Sequence, residues 1–109
     1  MWRMSISNRF RDIAKEVAAF RVKLKDCGDS ADQGARIVKK ASKGLQEWVE
    51  QVGEIPRMRL EFELTPILMK AHDSLDKARL IFEEVEGLDV QADAAWELQQ
   101  KIYRLLNDL

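Results

Sequence analysis

The chain has few of the residue types from which metal, disulfide and catalytic sites are built. It contains one cysteine and one histidine among 109 residues. A single cysteine excludes an internal disulfide and is typical of a protein from a reducing compartment. A metal site needs several converging ligands, and Cys27 and His72 supply only two side chains of the usual kind. We therefore expect an intracellular protein with no metal and no cofactor.

An excess of charge of one sign is also missing, because 18 basic residues stand against 19 acidic ones. A nucleic-acid-binding domain usually carries a strongly basic surface. No apolar run approaches the roughly 20 residues that span a bilayer. We therefore expect neither a nucleic acid nor a membrane as the partner. Hydrophobic residues make up 46% of the chain, which is enough for one core and predicts a single domain over 1–109.

The sequence does have clear helical periodicity. Apolar residues recur at steps of three and four in four segments, each typical of a helix that is buried along one face. The first such seam is Ile6, Phe10, Ile13, Val17, Phe20, Leu24 and Cys27. The other three run from Ala31 to Val52, from Leu68 to Val85 and from Ala95 to Leu109. Glycines at 28, 53 and 87 are the expected helix stops.

These four seams predict an all-α fold, an antiparallel up-down bundle of four long helices. Thr65 and Pro66 are a typical helix start, the first as cap and the second as first helical residue. Asp73 and Ser74 offer a second start inside the third seam, which would split this helix and give five. Asp89 is the expected cap of the last helix.

The segment 53–65, between the second and third seams, has a different pattern. Ile55-Pro56 breaks a helix, and four apolar residues then alternate with charged ones: Met58, Leu60, Phe62 and Leu64. Period two is typical of an extended chain, so we predict a long ordered connection packed on the bundle. The alternatives are a short helix and an edge that pairs with another chain. In the last case Met58, Leu60 and Phe62 are the self-association contact of a homodimer.

The helix junctions carry apolar residues that a bundle places at one end. The turn after the third seam is apolar, and the turn between the first two helices is short and polar. Such a pair of turns can hold the aromatic anchor of a peptide. The candidate partner-binding residues are Cys27, Asp29, Val85, Leu88 and Val90. The ordinary alternative is that Leu88 packs inward as the hydrophobic contact of a helix stop. An exposed Trp2 or Trp96 is a further candidate for a partner site, whereas Trp48 belongs to a seam and is expected in the core.

Much of the chain resembles a known family. The string Leu64–Lys70, the loop Leu88–Val90 and the following Ala94, Leu98 and Lys101 look like the second half of the TFIIS N-terminal domain. The first helix, over 7–17, is similar to that of an integrase-binding domain in the same superfamily. The resemblance implies a bundle of four or five helices without catalysis, in nuclear transcription-elongation or chromatin proteins.

The same resemblance implies a way of binding. Domains of this family bind short disordered motifs that carry aromatic and acidic residues, through the loops that correspond here to 27–30 and 85–90. We therefore expect an adaptor that binds a protein or peptide, does not take a small-molecule substrate and is not an enzyme. A self-associating bundle is one alternative. A membrane-active signalling bundle with a basic first helix is the other.

Overall fold

The computed structural model describes residues 5–109, which form four helices and no strand. These are α1 (Ile6–Leu24), α2 (Asp32–Gln46), α3 (Arg57–Glu83) and α4 (Asp89–Asp108). Each helix packs against the next along the chain, and α4 also packs against α1, so that the four close into a ring. The predicted all-α bundle of four helices is confirmed. Trp2, a candidate for a partner site, lies outside the described residues.

Ion pairs between helices show the direction of the chain. Arg9 pairs with Asp108, and Glu16 pairs with Lys101, so α1 and α4 run antiparallel. The short connections before α2 and before α4 impose the same antiparallel order on their neighbours. One end of the bundle therefore carries the turns 25–31 and 84–88. The other end carries the start of α1, the connection 47–56 and the end of α4.

The buried faces follow the predicted seams. In α1 the buried residues include Phe10, Ile13, Val17, Phe20 and Leu24, which the three-four spacing places on one side of the helix. In α4 they include Ala95, Leu98, Ile102 and Leu105. The rings of Phe20 and Phe82 meet edge to face with their centroids 6.2 Å apart, and this contact joins the diagonal helices α1 and α3.

The two turns at the first end contain the two glycines with positive φ. Gly28 has a φ of 81° and Gly87 a φ of 90°. The sequence places them directly after helix ends, but α1 passes into a 3-10 turn, Lys25–Cys27, and α3 already ends at Glu83. Asp89 is the first residue of α4 and makes no capping bond, since Leu88 holds the cap position.

The segment 53–65 differs most from the prediction. α2 ends at Gln46 and not at Gly53, and a turn followed by a 3-10 segment, Gln51–Glu54, leads to Pro56. α3 begins at Arg57, so the predicted long extended connection is wrong and the short-helix alternative comes closest. The alternative of a strand edge that pairs with another chain is also wrong, because Met58, Leu60 and Phe62 are helical.

The prediction failed because apolar residues at every second position are compatible with a helix as well as with a strand. Residues two apart lie on opposite sides of a helix, whereas residues four apart lie on the same side. Leu60 and Leu64 therefore form one buried pair and Met58 and Phe62 one exposed pair. The helical conformation buries Leu60 and Leu64 in the core and leaves Met58 and Phe62 in solvent.

The predicted helix start at Thr65-Pro66 is also wrong, because both residues lie inside α3. Pro66 has no N–H to donate to the Phe62 carbonyl, and an interior proline costs a helix about 3 kcal/mol. Leu64 and Leu68, on either side of it, are fully buried, and each such burial contributes roughly 1.5–3 kcal/mol. Packing therefore carries α3 through the proline. The helix also continues through Asp73 and Ser74, so the five-helix alternative is wrong.

Candidate interaction surfaces

The structure brings the two predicted binding turns together at one end of the bundle. The Gln91 side-chain nitrogen lies 3.4 Å from the Cys27 sulfur and links the start of α4 to the first turn. Asp29 and Val90 are exposed, and Cys27 and Val85 are partly buried. The Gln91 side-chain oxygen is buried and has no hydrogen-bond partner among residues 5–109. This end therefore has a small apolar surface and, beneath it, one buried acceptor without a hydrogen-bond partner among residues 5–109.

Leu88 does not belong to that surface. Its side chain is only 5% exposed and lies in the core. This is the inward contact expected of a hydrophobic residue at a helix stop. In this conformation Leu88 supports the turn, and it is not accessible to a peptide.

The residues predicted for self-association are divided between two sides of α3. Leu60 is 7% exposed and belongs to the core. Met58 is 95% exposed and Phe62 is 82% exposed, which makes them the two most exposed large apolar residues among 5–109. They lie one turn apart and form one small apolar patch.

A groove of about 550 Å³ lies between α2 and α3, on the side of the bundle away from α1 and α4. We call it the α2–α3 groove. Its apolar lining includes Trp48, Pro66 and Ile67. Its volume lies within the roughly 300–1,000 Å³ that is common for ligand pockets, so it can take one large side chain together with flanking chain.

Small residues on both helices produce the groove. Ala41 and Gly44 of α2 face Ala71 and Ser74 of α3 along its length. A Cβ added at Gly44 would meet no heavy atom within 4 Å, so the backbone of α2 is open to solvent there. Glycine inside a helix costs about 0.5–1 kcal/mol relative to alanine. Helix stability therefore does not explain why this position is glycine.

The charges at the groove are mostly positive. Lys40, Lys43 and Lys70 line it, and Glu47 is the acidic residue in the lining. Within residues 5–109 these three lysines form no ion pair. An anionic segment in the groove therefore displaces no existing salt bridge. The rim attracts acidic groups while the apolar lining remains available to an uncharged side chain.

The α2–α3 groove was not predicted from the sequence, because Trp48 and Pro66, two residues of its lining, were expected to have other roles. Trp48 was expected in the core, but it is only partly buried, since α2 has ended two residues earlier. Pro66 was expected to start a helix. The available signal was Gly44, a glycine inside the predicted second helix, with lysines at positions 40 and 43.

A separate polar cluster joins α3 to α4. The buried Gln99 accepts a hydrogen bond from Arg79 at 3.1 Å and donates one to Asp76 at 3.0 Å. Arg79 also donates to Asp76 and to Glu83, both at 2.7 Å. Hydrogen bonds from Arg79 first and from Gln99 second hold the pKa of the Asp76 carboxyl below its ordinary value. Each of the four side chains makes at least one hydrogen bond within the cluster, and Gln99 links α4 to Arg79 and Asp76 of α3.

The candidates for chemistry remain isolated from one another. His72 is partly buried, and the charged group nearest to its ring is Asp73, at 3.9 Å. The Cys27 thiol faces the Lys23 carbonyl at 3.5 Å and the Gln91 amide. No three side chains of His, Cys, Asp or Glu within 5–109 are grouped so that they could hold a metal ion.

Trp96 and Tyr103 lie two turns apart on α4, and each is about half exposed. None of the helices in the described part of the chain is long and apolar enough to span a bilayer.

No protein-family model, curated protein or solved structure matches this chain.

Proposed function

We propose that this chain is a non-catalytic protein-interaction module, and that its α2–α3 groove binds a short acidic segment of a partner through one apolar anchor. The observation that carries the proposal is the combination of an open apolar lining with three lysines that have no ion-pair partner among residues 5–109. The anchor contacts Trp48 and Ile67, and acidic residues beside it approach the lysines.

The two parts of the groove contribute differently to binding. Removing an aromatic or aliphatic anchor from water supplies most of the affinity, because apolar burial is the main favourable term in association. The lysines at the rim raise the association rate and select for acidic sequences, and they contribute less to affinity because they remain in water. Binding should therefore weaken with salt but not disappear.

The cellular setting of the proposal comes from the resemblance to the TFIIS N-terminal domain, which implies an adaptor in nuclear transcription or chromatin. That family uses the loops corresponding to 27–30 and 85–90. The end of the bundle around Cys27, Asp29, Val85 and Val90 is therefore the alternative site. The exposed Val90 beside the partly buried Cys27 and Val85 gives this end a small apolar surface for such a segment.

A selection from a library of random short peptides tests the proposal directly. We expect the enriched peptides to share one aromatic or large aliphatic residue flanked by aspartate or glutamate. Titrating such a peptide into labelled protein should shift the amide NMR signals of 40–48 and 66–74. Shifts confined to 27–30 and 85–91 would transfer the proposal to the end of the bundle.

Three variants separate groove binding from indirect effects. Gly44→Leu places a leucine in the lining of the groove, at a position where an added Cβ meets no heavy atom within 4 Å, so it should abolish binding and leave the fold intact. Lys43→Glu should weaken binding several-fold, since it replaces an attractive charge at the rim with a repulsive one. Lys39→Glu makes the same charge change at an exposed position of α2 outside the groove and should have little effect.

The proposal is wrong if no peptide is enriched, or if Gly44→Leu binds the enriched peptides as well as the original protein does. Vesicles of phosphatidylcholine with phosphatidylglycerol are the second probe. If the protein sediments with them at physiological salt and binds no peptide, the membrane-active alternative replaces the adaptor.

A further inference from the structure

The start of α3 presents an apolar patch whose surrounding charges match a second copy of the same helix. Met58 and Phe62 form the patch, one turn apart and almost fully in solvent. Large exposed apolar residues that adjoin each other are typical of interaction sites. The patch lies on α3 before Pro66, so it is distinct from the α2–α3 groove.

Four charged residues flank the patch in a regular order. Arg57 and Glu61 lie one turn apart on one flank, and Arg59 and Glu63 lie one turn apart on the other. On both flanks arginine comes first along the chain and glutamate follows. Arg59 and Glu63 contact each other within the helix, and both remain partly accessible.

An arginine followed one turn later by a glutamate is the less favourable order for an isolated helix. The N-terminal end of a helix favours acidic residues, yet the first turn of α3 has none and begins with Arg57. A glutamate placed one turn before a basic residue stabilises a helix more than the reverse arrangement. The stability of α3 by itself therefore favours the reverse order over the observed one.

The same order is favourable when two copies of α3 pack antiparallel. A two-fold axis that lies between the two copies, level with the midpoint between Met58 and Phe62, brings each flank onto the same flank of the partner helix, with the direction reversed. Arginine then lies opposite glutamate on both flanks, and Met58 lies opposite Phe62 of the other copy. Parallel packing instead places arginine beside arginine and glutamate beside glutamate, which is unfavourable.

We propose that the segment Arg57–Glu63 is a self-complementary interface through which two copies of this chain form an antiparallel dimer. The sulfur of Met58 and the ring of Phe62 make the central contact. A stable dimer usually buries about 1,200–2,000 Å², and two helical turns offer less than that. The dimer is therefore expected at high protein concentration and not at low concentration.

Sedimentation velocity over a wide range of protein concentration tests this proposal. The original chain should shift from monomer towards dimer as its concentration rises. Phe62→Glu should remain monomeric throughout, whereas Leu80→Glu, at a half-exposed residue farther along α3, should dimerise as before. A chain that stays monomeric up to millimolar concentration overturns the proposal.

Charge exchange tests the antiparallel arrangement. The double variants Arg57→Glu/Arg59→Glu and Glu61→Arg/Glu63→Arg should each be monomeric alone and should associate when mixed. The quadruple variant with all four substitutions has the same composition and net charge, and it should dimerise by itself. If only a mixture of the quadruple variant with the original chain dimerises, the packing is parallel and the proposed arrangement is wrong.

The proposed dimer and the proposed peptide site can be tested independently of each other. Gly44→Leu changes the α2–α3 groove and should leave dimerisation unchanged. Phe62→Glu should leave peptide binding unchanged, and circular dichroism establishes that each variant remains helical.

Discussion

At the scale of single residues, the two glycines of α2 have different structural roles, because one faces the core and the other faces solvent. A Cβ at Gly34 would lie 2.3 Å from the ring of Phe82, so the close approach of α2 to α3 requires glycine there. A Cβ at Gly44 would enter open space. The first glycine therefore serves the core, and the second keeps the α2–α3 groove open.

Alanine substitutions at the two glycines should have opposite effects on stability. We expect Gly34→Ala to lower the free energy of unfolding by about 1–3 kcal/mol, because the fully buried Phe82 ring would have to shift to make room for the added Cβ. Gly44→Ala should raise it by about 0.5–1 kcal/mol through the helix propensity of alanine. Urea unfolding measures both. Equal effects would show that Phe82 does not pack against Gly34.

The carboxyl of Asp76 should give folding a specific pH dependence. Its pKa is lowered in the folded protein, so it binds protons less readily there than in the unfolded chain, where the value is about 3.9. Its contribution to stability is therefore complete above that value and is lost as the pH falls through the lower, folded pKa. Asp76→Asn should lose less stability than the original chain between about pH 5 and pH 3. Asp93→Asn, at an exposed position of α4, is the control.

At the scale of the element, the start of α3 distinguishes a helix from an extended segment. In an extended chain Met58, Leu60, Phe62 and Leu64 all lie on one face, and their substitutions would have similar costs. In the helix only the leucines are buried. Their opposite environments follow from packing, because the residue spacing alone allows both conformations.

We therefore expect Leu64→Ala to lower the free energy of unfolding by about 2–5 kcal/mol, as truncation of a buried leucine does. Phe62→Ala should change it by less than about 0.5 kcal/mol, since the ring is exposed. Chemical denaturation below the concentration at which dimers form is the appropriate measurement. Similar costs at the two positions would favour the extended conformation.

At the scale of the whole molecule, the four buried faces share one continuous core. We expect unfolding in a single transition, with coincident curves from tryptophan fluorescence and far-ultraviolet circular dichroism. Leu75→Ala or Leu98→Ala should lower the free energy of unfolding by about 2–5 kcal/mol. Leu80→Ala, at a half-exposed residue, should cost far less. Separate transitions for the two probes would contradict a single cooperative unit.

The sequence by itself determined the helical class and most of the core. In α1 and α4 the apolar residues are three and four positions apart. Only a helix places apolar residues with this spacing on one face, so the sequence determines the conformation of these two segments. Helix boundaries were less determined. Thr65-Pro66 has the local features of a helix start, but the burial of Leu64 and Leu68 extends α3 through it.

Only the tertiary structure decided which apolar residues remain in solvent. The alternating residues 58–64 are compatible with a strand or with a two-faced helix, and contact with the other helices selects the second. The α2–α3 groove depends on small residues from two helices that pack side by side, and the spacing of residues within either helix does not show how they combine. The exposed patch at Met58 and Phe62 likewise exists because the core of one bundle accepts Leu60 and Leu64 and has no place for the other two.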